Sequence, residues 1–100
     1  MAGVRVKICG ITNVEDAQAV VDAGAHALGL VFYEASPRAV DFDQARAIAY
    51  SVGPFISVTA LFVNPSAALV GSVVSKVPVQ LLQFHGDETA AFCESFQRPY

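Results

Sequence analysis

One hundred residues, 54% of them hydrophobic and with a net charge of -3, suit one small domain or a portion of a larger one and exclude two domains. The six Lys and Arg are scattered without a basic stripe, and the longest apolar runs, near Ala27 to Phe32 and Ala60 to Val63, are far too short to cross a bilayer, so neither nucleic acid nor membrane is an expected partner. Arg5 and Lys7 interrupt any signal-peptide core, and two cysteines make no disulfide framework, so reduced thiols and a cytoplasmic location are expected.

The first element is a short strand over Val4 to Cys9. Its alternation sets Val4, Val6 and Ile8 toward a packing helix and Arg5, Lys7 and Cys9 on the opposite face. Thr12 and Glu15, three apart, predict a capping box and a helix from about Asn13 to near Gly24, carrying Val14, Ala17, Val20 and Val21. A second strand, Ala27 to Phe32, precedes a helix capped by Asp41 with Gln44 at the reciprocal position, whose apolar side is Phe42, Ala45, Ile48, Ala49 and Val52. The third strand, Ile56 to Phe62, leads to a helix opening at Asn64 with Pro65 in its first turn and Gly71 weakening its middle. The fourth, Val79 to Phe84, is followed by a helix from about Asp87 that places Phe92 and Phe96 one turn apart.

Strand and helix thus alternate with a recurrence of roughly 25 residues, the pattern of right-handed βα crossovers on a parallel sheet. The mean hydropathy of +0.48 fits strands buried on both faces. Two architectures share this pattern: a four-stranded doubly wound sheet, or the first half of an eight-stranded barrel. A sheet covered by helices on both faces would bury Arg5 and Lys7 against apolar side chains at several kcal/mol for each unpaired charge, so the barrel is expected. The fold class is then α/β of the TIM (β/α)8 barrel type, with residues 1–100 a single domain portion supplying βα units one to four. Arg98-Pro99-Tyr100 reads as a lead-in to a further strand.

In such a barrel the C-terminal ends of the strands form the working rim. Cys9 lies there, before the Gly10 turn, next to a helix N-terminus and with Lys7 on its face, where a thiol serves as a general base or nucleophile; the alternative is a small buried apolar side chain. Arg38, in the Ser36-Pro37-Arg38 loop after strand two, can hold a carboxylate through two parallel hydrogen bonds, or be an idle loop residue. His85 shares its strand parity with Gln83 and reaches the barrel mouth, or is a solvated turn histidine. His26, at the opposite strand ends, is assigned no role, and Cys93 is read as helix packing. The His and Cys residues lack metal-ligand spacing, and no glycine-rich nucleotide motif occurs, so acid-base chemistry without a cofactor is expected.

From Val6 to about Phe96 the sequence resembles the N-terminal half of the phosphoribosylanthranilate isomerase family. The resemblance rests on Lys7-Ile8-Cys9-Gly10-Ile11-Thr12, on Phe32-Tyr33 followed by Ser36-Pro37-Arg38, on Phe62-Val63-Asn64, and on Gln83-Phe84-His85-Gly86-Asp87-Glu88. It implies a (βα)8 barrel that converts the phosphorylated small molecule N-(5-phosphoribosyl)anthranilate to the carboxyphenylamino-deoxyribulose phosphate by an Amadori rearrangement in tryptophan biosynthesis. Metal and coenzyme are not required. By motif, Cys9 corresponds to the general base, Arg38 to the arginine that holds the anthranilate carboxylate, and His85 to a histidine lining the pocket. The family's general acid, an aspartate ending strand six, and its phosphate loops after strands seven and eight have no counterpart here. Asp87 is explained as a helix cap, and the isolated chain is expected to be inactive. Unpaired strand edges would also invite self-association. The competing readings are a non-catalytic half-barrel assembly module and another phosphate-binding barrel such as indoleglycerol-phosphate synthase.

Overall fold

The computed structural model describes residues 3–100. Four strands, β1 (Lys7–Cys9), β2 (Ala27–Val31), β3 (Ser57–Phe62) and β4 (Leu81–Phe84), alternate with four helices, α1 (Val14–Asp22), α2 (Phe42–Ser51), α3 (Ala67–Lys76) and α4 (Ala90–Glu94). All strand pairs are parallel and the sheet order is β1-β2-β3-β4. Consecutive strands that pair in sequence order through crossovers of one hand place every helix on the same side of the sheet. This singly wound order separates the two architectures: a doubly wound sheet would reverse its order part-way.

One face of the sheet is therefore the core. Leu28, Leu30, Val58, Ala60, Phe62 and Leu82 point into it and meet Ala17, Val20, Ala45, Ile48, Val70 and Val73 from the helices. The residues between them, Lys7, Cys9, Gly29, Thr59 and Gln83, share the opposite face. Lys7 Nζ donates to Gln83 Oε1, joining β1 to β4 across the two strands between them. In a flat sheet those strands would lie about 14 Å apart, so this contact needs a concave face. Lys7, the charge on β1, faces a hollow rather than a helix interface, as the barrel reading requires, while Arg5, expected on the same strand face, lies before β1 and is exposed.

Several boundaries differ from the sequence expectation. β1 begins at Lys7, not Val4, which is 83% exposed. Asn13, not Thr12, caps α1: its side chain accepts from Asp16 N at 2.7 Å, while the Thr12 carbonyl accepts from Gln44 Nε2 at 3.1 Å. Helix α3 starts after Ser66 rather than Asn64, because Asn64 has φ +45 and spends its side-chain oxygen on Asp87 N. Thr89, not Asp87, caps α4. The α2 cap is as expected, with Asp41 and Gln44 each bonding the other's backbone N–H. Beyond α4 the chain returns to β4, where Leu82 N donates to the Pro99 carbonyl at 2.8 Å.

The cap assignment has a direct check. Asn13→Ala should cost about 1 kcal/mol in urea unfolding, and Thr12→Ala only a few tenths, because position 12 contributes its carbonyl alone. Equal losses at the two positions would restore Thr12 as the cap.

Candidate active site at the C-terminal rim

β1 ends at Cys9, half-buried on the concave face, and the chain turns at once through Gly10. The Gly10 and Ile11 N–H groups both donate to the Gly29 carbonyl, at 3.0 and 3.1 Å, pinning this turn against β2. Gly10 has φ +82, a left-handed conformation that side chains rarely adopt. A Cβ there would also lie 2.4 Å from Arg38 Nη1, so the guanidinium occupies the space the glycine leaves. Arg38 Nη1 lies 3.5 Å from the Cys9 carbonyl, and the rest of the guanidinium remains exposed to solvent. The Arg38 backbone is held by its N–H donating to Ser36 Oγ at 3.1 Å.

A second glycine shapes the thiol's seat. Gly29 pairs with Cys9 in the ladder, and a Cβ on it would lie 2.8 Å from Cys9 Sγ. The sulfur thus leans over the bare backbone of β2. Cys9 and Arg38 are brought together, one from the first strand end and one from the second loop. His85 stands exposed just past β4, with its N–H donating to the Phe62 carbonyl at 2.8 Å. His26 is at the other end of the sheet, where Nδ1 accepts from Val6 N at 3.0 Å and ties the start of β1 to β2. Cys93 is buried in the helix layer, which pushes its thiol pKa up. Among the described residues no group of three or more His, Cys, Asp or Glu side chains is placed to hold a metal ion.

Glu88 is a rim residue to which residue-by-residue reading gave no part. Its carboxylate accepts from Gly86 N and Asn64 N, each at 2.8 Å, lacing the loop after β4 to the loop after β3. Asn64 completes the lacing through Asp87 N, and Gly86 packs so tightly on Asn64 that a Cβ would fall 2.5 Å from its Oδ1. Partial burial pushes the Glu88 pKa up, but backbone N–H groups of Glu88, Asn64 and Gly86 and the nearby His85 outweigh it, and the carboxyl sits below its ordinary range. The only local cue in the sequence is Glu88 two residues past Gly86, a spacing too common to single out.

Residues 6–98 match the family model for N-(5'-phosphoribosyl)anthranilate (PRA) isomerase. The N-(5'-phosphoribosyl)anthranilate isomerase of Cellvibrio japonicus is 59% identical over the whole chain, which covers 46% of that protein, and the one from Pseudomonas fluorescens Pf0-1 is 57% identical, with 49% of it covered. A crystal structure of phosphoribosyl anthranilate isomerase in complex with reduced 1-(o-carboxyphenylamino)-1-deoxyribulose 5-phosphate superposes with a TM-score of 0.91 at 41% identity, over 95% of this chain and 49% of that one. The chain therefore spans about half the length of the relatives it matches. Among the described residues no helix is long and apolar enough to cross a membrane.

Two checks follow from this geometry. Because the Glu88 pKa in the folded chain lies below its unfolded value, its stabilising contribution is full above the ordinary glutamate range and disappears as the pH falls through the folded value. Urea midpoints should therefore drop more between about pH 5 and about pH 3 for the unsubstituted chain than for Glu88→Gln, and parallel drops would remove Glu88 as the lace. Gly10→Ala should destabilise by more than about 1 kcal/mol, since both φ and the guanidinium oppose a side chain there.

Proposed function

The chain belongs to the N-(5'-phosphoribosyl)anthranilate isomerase family, and from that membership we propose that it supplies βα units one to four of an eight-unit barrel that isomerises N-(5'-phosphoribosyl)anthranilate in tryptophan biosynthesis. The observation that carries the reading is the meeting of Cys9 and Arg38 on the rim, where the guanidinium fills the space left by Gly10 and lies 3.5 Å from the Cys9 carbonyl while the sulfur leans over Gly29.

The reaction first needs an acid to protonate the furanose ring oxygen, so that the bond from C1 to that oxygen breaks and a protonated imine forms. No residue of this chain is given that task. Cys9 as thiolate then removes the proton from C2, and the released electron pair forms the C1–C2 double bond and neutralises the imine nitrogen. The resulting enol loses its hydroxyl proton as C1 gains one, leaving a ketone at C2. Arg38 holds the aromatic carboxylate through two parallel N–H groups, fixing the ring end of the substrate while the sugar end faces the thiol. His85 lines the pocket from the fourth loop, its place kept by the Glu88 lacing.

The same reading places the chain in the cytoplasm, where thiols stay reduced. It also leaves the apolar outer side of β1 to be covered: Val6 and Ile8 are 42% and 40% exposed, a surface suited to the other half of a barrel or to a second copy.

A chimaera that completes this chain with the second half of the Cellvibrio japonicus relative tests the assignment. It should turn over N-(5'-phosphoribosyl)anthranilate, whereas the 100-residue chain alone should not. In the chimaera Cys9→Ala should lower kcat by about 10²- to 10⁴-fold. Arg38→Ala should raise KM at least about tenfold, the loss of a charge-assisted pair. Undiminished kcat in the Cys9 variant would overturn the thiol as base.

A further inference from the structure

The concave face holds a group that the isomerase reading leaves unused. Thr59 is 0% exposed, and among the described residues its Oγ1 is the buried side-chain nitrogen or oxygen without a hydrogen-bond partner. A buried hydroxyl in that condition destabilises the fold, and valine would fill the same shape without the penalty. Its neighbours in β3, Val58 and Ala60, belong to the helix-side core, so Thr59 faces the hollow.

The strand register sets Cys9, Gly29 and Thr59 side by side in one row across β1, β2 and β3. Gly29 carries no side chain, and Cys9 Sγ already leans into that gap, 2.8 Å from where a Cβ would stand. No side chain of β2 therefore separates the thiol from the hydroxyl. Lys7 Nζ donates to Gln83, and Arg38 Nη1 lies 3.5 Å from the Cys9 carbonyl.

We propose that Thr59 is a positioning residue for Cys9. Its O–H donates to the sulfur, after a side-chain rotation or through one water, and fixes the thiolate toward the substrate carbon from which it takes a proton. The hydroxyl is retained at a cost in stability, as expected where a local rule of packing yields to function. The proposal rests on Cys9 being the base, but its test needs no turnover.

The rate of Cys9 alkylation by iodoacetamide is measured on the whole 100-residue chain, with peptide mapping to separate it from Cys93. Thr59→Val should slow alkylation about tenfold while raising the urea midpoint, and Thr59→Ser should stay within about twofold of the unsubstituted chain. Should the valine variant fail to fold, Thr59→Ser against Thr59→Ala gives the same comparison, since both lack the methyl group and differ only in the hydroxyl. Equal rates for valine and threonine, or for serine and alanine, overturn the pairing. Full turnover by a Cys9→Ala chimaera would instead overturn the base and leave the alkylation difference standing, so the two failures are distinguishable.

Discussion

Every crossover in this chain lays its helix on the same side of the sheet, and the rest of the structure depends on that constraint. With helices on one face only, the core residues Leu28, Leu30, Val58, Ala60, Phe62 and Leu82 point that way, and the polar Lys7, Thr59 and Gln83 are left for the other face beside Val31, Leu61 and Leu81. That second face is not flat, since Lys7 on β1 and Gln83 on β4 meet across the two strands between them. Curvature turns this mixed face into the lining of a hollow, and the strand ends into its rim.

The rim is stiffened from beneath. Phe32, Phe62 and Phe84 close the helix-side rows of adjacent strands and stack in series with centroids 5.7 Å apart, Phe92 of α4 meets Phe84 edge-on, and Phe96, just past α4, stacks on Phe84. Such aromatic contacts add about 0.5–1.5 kcal/mol each beyond burial, and they sit directly under the loops that carry Arg38, Asn64 and His85. Loops held by a packed layer and by the Glu88 carboxylate keep their side chains in place without a ligand, which is what a site needs if binding energy is to be spent on chemistry.

Strand alternation made most of this legible. The parity of Lys7 to Cys9 set Lys7 and Cys9 on one face and pointed to a barrel before any topology was known, but Val4, Val6 and Ile8, expected against a helix, are exposed, and Val4 and Arg5 lie before the strand. The Asp41 and Gln44 pair marked α2 because both halves of a capping box are local. Thr12 misled for the complementary reason: the same local spacing is present, but a distant partner, Gln44, claims its carbonyl, and Asn13 is one step better placed. Asn64 and Asp87 misled together, because each is a good cap in isolation and the two instead bond one another across 23 residues of chain. Glu88 and Thr59 were invisible because their significance lies in partners met or missed through space.

The three rim residues are not held equally. Cys9 and Arg38 meet through the first two units alone: the Gly29 carbonyl holds the turn after Cys9, and the glycine at that turn admits the guanidinium. Their geometry is settled by one strand pair and one steric exclusion, so it survives changes elsewhere in the sheet. His85 stands three strands away from Cys9, and its distance from the thiol is the sum of three inter-strand rotations, each free to vary by several degrees. Only a contact spanning the same strands can limit that sum. Lys7–Gln83 is such a contact, with Lys7 two residues before Cys9 and Gln83 two before His85. The lysine two residues before the thiol therefore bears on the site through shape, by limiting how far the fourth unit stands from the first.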